Sequence, residues 1–339
     1  MSGLVSAAAT TVSWIPSESV SGLSRLGFEA GIGLHYDDPP PTELSPGFLQ
    51  DRTRFRLVNQ LVAWVEVRGG QIVNCGYDEA SHSRLGHTSV ALGRRNVSLV
   101  NVSLPDVRRE PARQGTEVEF VQTAGGRTVI PFPRRVRDAP FVRFDAPLIW
   151  TTISLTLYAD GSAVSRLAGA SAFPRHWIFD DSGHLSAKAG LADFKEWTKS
   201  SFGTQSPWQG QDREALVTSV ETALERMLSE QIMRAGQKPH ITRLLTGDQL
   251  TKQGERGQEL FLLLNGVLAV EVGGKKVTEV GPGSLLGERA LLETGLRTAT
   301  LRALTPATLA VTSAEAVDRA DLIAVALHHR AETDSSETP

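Results

Sequence analysis

Leu286 to Ala303 reads LGERALLETGLRTATLRA. A glycine-glutamate pair opens the stretch, a short apolar segment follows, and an arginine stands nine residues after the glutamate with a run of small residues behind it. Gly287 lacks a Cβ and so permits a close backbone approach. Glu288 to Leu292 is expected to form a short helix, whose first N–H groups point outward where helix polarity favours an anion. Arg297 offers a charged fork suited to phosphate oxygens, and ionised Glu288 can accept a hydroxyl proton. Thr298 to Ala303 is expected to be a strand whose small residues leave room beside the arginine. By themselves, two such charges also read as a solvated ion pair on a turn.

The surrounding sequence favours a ligand site. From roughly Ile241 to Arg330 the chain shows short strands punctuated by glycines, in LLTGDQLTKQGERGQELFLLLNGVLAVEVGGKKVTEVGPGSLLGE and beyond. Gly254 follows the second strand, Gly266 lies in the hairpin after LFLLL, and Gly281, Pro282 and Gly283 form a turn into the Gly-Glu pair. This ordered series resembles the cyclic nucleotide-binding domain family, and 286–303 resembles its phosphate-binding cassette. The resemblance implies a double-sheet jelly roll with flanking helices. It also implies a cyclic nucleotide ligand held by Leu286, Gly287, Glu288, Ala290, Arg297 and Thr298. Arg297 would meet the exocyclic phosphate oxygens and Glu288 the ribose 2′-hydroxyl. Two positions depart from the family pattern: Arg289 replaces a usual leucine or isoleucine, and Leu296 replaces a common proline. The Thr298 hydroxyl does not settle the base. cAMP leads on family frequency alone, with cGMP, cCMP and cUMP as alternatives.

Ser313 to about His329 is expected to be a terminal helix with Val317, Leu322, Ile323 and Leu327 on its apolar side, a lid or hinge over the ligand. The short acidic tail 331–339 is expected to be disordered and leaves no length for a helix-turn-helix. Upstream, TQSPWQGQD at 204–212 is rich in turn formers. A helix is expected from about Arg213 to Arg234, with Leu216, Val217, Val220, Leu224, Met227, Leu228 and Ile232 at three- and four-residue steps. Gly236 in AGQKP is placed to cap it. The expected organisation is therefore a β-rich domain over 1–203, a linker with an amphipathic helix over 204–239, a cyclic nucleotide-binding domain over 240–330, and the tail.

Residues 1–203 show no family resemblance. LVAWVEVRGGQIVNCGY and LIWTTISLTLYADGSAVSRLAGA read as hairpins turning at Gly69-Gly70 and Asp160-Gly161. TSVALGRRNVSLVNVSL and TEVEFVQTAGGRTVIPF add further alternating strands. The fold expected is mainly β, with an antiparallel sandwich or barrel here, and Phe55 to Val62 is read as part of a short helix. The polar candidates are His35, Tyr36, Asp37 and Asp38 in one loop, His82 and His87 in another, and His176, Asp180, Asp181 and His184 in FPRHWIFDDSGHL. None has metal-site spacing, and no GxSxG, Walker or Rossmann pattern is present. His176 and Trp177 are expected at a strand end, with Asp180 to Gly183 as the next turn. Arg108-Arg109 and Arg134-Arg135-Arg137 are interrupted by Asp106, Glu110 and Asp138, as solvated loops are.

Composition limits the rest. The 339 residues carry 35 basic and 38 acidic side chains, a net charge of −3, so no general basic field exists to hold nucleic acid. With 40% hydrophobic and 22% charged residues the chain is ordinary globular material, long enough for two cores. A single cysteine, Cys75, excludes an internal disulfide and fits a reducing compartment, as a small apolar filler beside a turn. No run of about eighteen apolar residues suggests a membrane span, and the N-terminus lacks signal-peptide character. The expectation is a cytoplasmic, bacterial sensor in which nucleotide binding controls how the N-terminal β domain meets a protein partner, with homodimerisation through either long helix compatible. A nucleotide-regulated enzyme, an assembly protein with a ligandless jelly roll, and a transcription regulator are the competing classes.

Overall fold

The computed structural model describes residues 2–20, 35–92, 95–127, 132–135, 142–194, 197, 207–209, 217–218, 228, 232–233, 239–293, 295–313, 317 and 320–326. The chain divides into two compact units, Met1–Leu216 and Val217–Pro339.

Two large antiparallel sheets form the core of the first unit, and two two-stranded sheets, His87–Leu92 with Arg95–Val100 and Phe132–Arg135 with Val142–Asp145, accompany them. Ser2–Trp14 pairs along its length with Leu57–Arg68, from Ser2 opposite Arg68 to Ser13 opposite Leu57. Around this pair the sheet continues through Arg175–Phe179 and Leu185–Ala189 on one side and Gln71–Tyr77 on the other. The second sheet centres on Glu117–Arg127 and Leu148–Tyr158, with Ala163–Ala170 at one edge and Val102–Ser103 at the other. Burial alternates along most of Leu57–Arg68, as a half-buried strand requires. Ten consecutive residues of Leu148–Tyr158 are buried, as expected of a strand covered on both faces. Between the sheets, Ala7, Ala9, Leu61, Ala63 and Val65 meet Val118, Phe120, Ile153, Leu155 and Leu157. The unit is a sandwich, and both expected hairpins are present, joined through Gly69-Gly70 and Asp160-Gly161.

Phe55 to Val62 is not helical. Its sequence belongs to the alternating run LVNQLVAWVEV, so strand pairing buries every second side chain, and Leu57–Arg68 is extended; the nearby helix is Pro46–Gln50, capped by the Ser45 hydroxyl.

Several polar candidates of this unit hold the fold together. Arg56 and Asp37, each with a side chain only 1% exposed, form a bidentate pair, Nε to Oδ2 at 2.9 Å and Nη2 to Oδ1 at 2.7 Å. Arg56 also donates to the carbonyls of His35 and His87, and the Ile15 N–H donates to Asp37, so one ion pair ties two loops and two strands. Asp180 accepts from the N–H groups of Ser182 and His184, forming the expected turn. Arg108 bonds Gln122 and the Ser81 carbonyl and lies over the Tyr77 ring. Cys75 is half-buried against the core. No group of three metal-ligating side chains occurs among the described residues.

His176 is fully buried within Arg175–Phe179, with Nδ1 2.7 Å from Ser13 Oγ and Nε2 2.9 Å from the Ser171 carbonyl. Nε2 therefore carries the proton and Nδ1 accepts from Ser13. Burial lowers its pKa to about 4, against a weaker opposing contribution from the Ser171 carbonyl. The unfolded chain takes up a proton near pH 6.5 while the folded chain does not, so stability is fully present above pH 6.5 and is lost as pH falls toward 4. At ~1.4 kcal/mol per pKa unit the loss is about 3–4 kcal/mol. All six tryptophans lie before residue 217, so urea unfolding followed by tryptophan fluorescence reads this unit. The midpoint is expected to fall between pH 6.5 and 4, and His176→Gln to flatten that dependence.

The second unit is a pair of four-stranded antiparallel sheets. One runs in the order His240–Leu244, Ala307–Ser313, Glu259–Asn265, Leu285–Leu286. The other runs Gln249–Thr251, Thr300–Ala303, Leu268–Val272, Lys275–Val280. This is the expected double-sheet jelly roll. Glu259–Asn265 is buried on both faces: Phe261 and Leu263 point inward to Leu268, Leu286, Leu301 and Leu309. Leu260 and Leu262 point outward to Leu228, Ile232, Val317, Leu322 and Val325. Flanking segments thus cover the outer face of the first sheet.

Only part of each expected long helix falls on described residues. Residues 228, 232 and 233 are helical, but Val217–Thr218 is a two-residue strand, so the helix expected from Arg213 does not run through that β-branched pair. Residues 320–326 are helical, with Leu322, Val325 and Ala326 buried; Ile323, assigned to the apolar side from sequence, is 44% exposed. The expected cap at Gly236, the tail 331–339 and Leu327 lie outside the described residues. No helix among the described residues is long and apolar enough to cross a membrane.

Candidate functional site

The short strand Leu285–Leu286 ends at Gly287, which has φ +93° and caps the helix Glu288–Leu292. That backbone conformation strains any residue with a Cβ. The helix closes with Glu293 N–H on the Arg289 carbonyl and Gly295 N–H on the Ala290 carbonyl at 2.8 Å. The chain then zips against the turn at 254–257: Arg297 N–H donates to the Glu255 carbonyl, Gly254 N–H to the Arg297 carbonyl, and Gly257 N–H to the Gly295 carbonyl. Arg297 is thereby fixed at its backbone before its side chain makes any contact.

The Arg297 side chain is 6% exposed. Its Nη1 donates to the Glu259 main-chain carbonyl at 2.9 Å and its Nη2 to the Glu259 carboxylate at 2.8 Å. It stacks over Phe261, 4.9 Å from the ring centroid, a favourable placement for a cation. Two glycines make the remaining space. A Cβ at Gly257 would stand 2.0 Å from Arg297 Nε, and one at Gly287 would stand 2.7 Å from Nη1 and 2.8 Å from the Glu259 carbonyl. Desolvation lowers the Arg297 pKa, opposed by the negative charges of Glu259 and Glu288. The arginine stays ionised, so the site is a buried cation with two carboxylates around it.

The predicted residues fall into distinct environments. Gly287, Glu288 and Arg297 converge, with Glu288 only 4% exposed. Thr298 follows Arg297 and is half-buried. The side chains of Leu286 and Ala290 are buried, Leu286 in the core between the sheets. Arg289 pairs with Glu293 one helical turn on, at 3.3 Å, and so is engaged away from Arg297. Leu296 is 39% exposed and bridges Arg256 through its backbone.

Three neighbours were missed from sequence: Gly257, Glu259 and Phe261. Glu259 heads the apolar run ELFLLL, where a charge reads as a solvated strand end, and only the fold brings it against a residue 38 positions away. Alternation within that run places Phe261 inward, a signal that could have found it.

Residues 241–320 match the family model described as the cyclic nucleotide-binding domain. This is the region whose glycine framework carried the resemblance, and the domain implies a cyclic nucleotide ligand. A 64-residue stretch, 19% of the chain, is 42% identical to a cGMP-dependent protein kinase of Plasmodium berghei (strain Anka). That stretch spans 8% of the kinase. Among solved structures, the N-terminal domain of a transcriptional regulator from Streptomyces coelicolor A3(2) is similar over 35% of this chain and 99% of its own, with 20% identity and a TM-score of 0.25. The cAMP-bound form of the EAL enzyme Bd1971 overlaps 28% of this chain and 29% of its own, with 19% identity and a TM-score of 0.24.

Gly287→Ala is expected to destabilise the domain by about 1–3 kcal/mol, the scale of a residue held in a disfavoured backbone conformation, because its Cβ also meets the Glu259 carbonyl. Far-UV circular dichroism during thermal unfolding checks this. An unchanged transition would contradict the geometry.

Proposed function

We propose that the domain binds a cyclic nucleotide with Arg297 on the phosphate, the backbone at Gly287 and Glu288 alongside it, and Glu288 accepting from the ribose 2′-hydroxyl. Thr298 sits at the neighbouring position, and the backbones of Leu286 and Ala290 complete the wall. The single observation that carries the reading is the buried guanidinium of Arg297, held between two glycines beside a buried carboxylate. A cation in that setting attracts an anion strongly because little water screens it. cAMP is the first candidate, on family frequency, with cGMP, cCMP and cUMP after it.

The chain is read as a regulatory protein. Binding favours one of two arrangements of the domain, for which the helices against Leu260 and Leu262 are the movable parts, and this changes how the N-terminal sandwich meets a protein partner. A ligand can bias the two arrangements only through unequal affinity for them. Cytoplasmic location, a bacterial source and a homodimer belong to the same proposal.

Removing one partner of a buried charge-assisted pair costs roughly 2 to 5 kcal/mol of binding, so Arg297→Ala is expected to lose at least tenfold in affinity. Isothermal titration of the full chain with the four cyclic nucleotides measures it. Gly257→Ala, whose Cβ displaces a flexible side-chain end rather than backbone, should weaken binding in the same direction while leaving the fold intact. Equal affinity in wild type and Arg297→Ala would overturn the assignment.

A further inference from the structure

Glu259 places two acceptors on Arg297, its main-chain carbonyl on Nη1 and its carboxylate on Nη2. The carbonyl belongs to a strand paired with Ala307–Ser313 and cannot leave. The carboxylate can, because the Glu259 side chain is 59% exposed and swings into water without desolvation. Buried Glu288 also acts on the guanidinium electrostatically, so Arg297, Glu259 and Glu288 together carry a formal charge of −1. We propose that Glu259 is a specificity-determining residue: its carboxylate makes the Arg297 site select a singly charged phosphodiester over a doubly charged phosphomonoester.

The inference rests on the reading of Arg297 as the phosphate-binding residue and goes on to say which phosphates it admits. A cyclic nucleotide carries one negative charge on its phosphate. A linear 5′-monophosphate carries close to two above neutral pH, because its second pKa lies near 6. Each ligand charge brought to Arg297 is repelled by the nearby Glu259 carboxylate, so the penalty scales with ligand charge. A nucleotide sensor has to ignore the abundant linear monophosphates, and hydrogen bonds from one arginine do not separate the two classes. A negative charge beside the arginine does, by disfavouring the wrong ligand rather than improving the right one.

Glu259→Gln tests this, since glutamine keeps an acceptor for Nη2 and removes only the charge, while the main-chain carbonyl, Phe261 and the two glycines still place the guanidinium. Full-length wild type and variant are titrated by calorimetry at pH 8 and low salt with cAMP, cGMP, 5′-AMP and 5′-GMP. For a partly exposed charge the gain is on the order of fivefold per ligand charge. The variant is therefore expected to bind the cyclic nucleotide about fivefold tighter and the monophosphate about 25-fold tighter, narrowing the selectivity about fivefold, with the gain shrinking as salt is added. Unchanged selectivity overturns the charge filter, and weaker cyclic nucleotide binding in the variant overturns it in favour of a positioning role for Glu259. Absence of cyclic nucleotide binding in both proteins, with folding intact, overturns the assignment of Arg297 itself.

Discussion

A guanidinium can lie between the Phe261 ring and two stretches of backbone only because no Cβ stands at residues 257 and 287. Every other feature of the site follows from that space. The turn at 254–257 zips to 295–297 and brings Gly257 under the side chain. The left-handed backbone at Gly287 turns the chain from a core strand into the short helix carrying Glu288. Glu259 supplies the acceptors, from the same strand whose other residues fill both faces of the first sheet. Burying a cation is unfavourable unless it is paired and hydrogen-bonded, and here the pairing comes from the partly exposed carboxylate of Glu259. Packing of the jelly roll and placement of the buried guanidinium are thus one arrangement.

What was legible in the sequence was what local backbone chemistry dictates. The glycine framework from Gly254 to Gly287 marked turns whose positions the jelly roll confirms, and the hairpins at Gly69-Gly70 and Asp160-Gly161 fell where turn residues interrupt alternating strands. Contacts between distant residues were not legible. Glu259 meets Arg297 across 38 positions, and nothing local distinguishes it from any charge at a strand end. Phe55 to Val62 was misread because its apolar residues are close enough to fit either period, and strand pairing with Ser2–Trp14 decided it. The helix expected from Arg213 ran through Val217 and Thr218, whose side chains favour the extended conformation they adopt.

In the N-terminal unit, three of the polar candidates tie segments of the fold together. Asp37 neutralises buried Arg56, His176 joins Ser13 to Ser171, and Asp180 organises a turn. A polar network between the sheets serves the same end: Gln122 donates to Asn59, which donates to Thr151, itself 2.9 Å from the Thr11 hydroxyl. Such networks stabilise one register because a slip would leave buried groups without partners. Among the described residues, these buried polar groups have partners within the fold.

The central claim is that the space around Arg297 receives a cyclic nucleotide phosphate. Titration of the isotopically labelled full-length protein with cAMP and cGMP, followed by nuclear magnetic resonance, tests it most directly. The account predicts saturable shifts concentrated at the backbone N–H groups of Gly257, Gly287, Glu288 and Thr298 and at the Arg297 Nε–H. Saturation by either nucleotide with these signals unmoved, or no response to either at millimolar concentration, would contradict it.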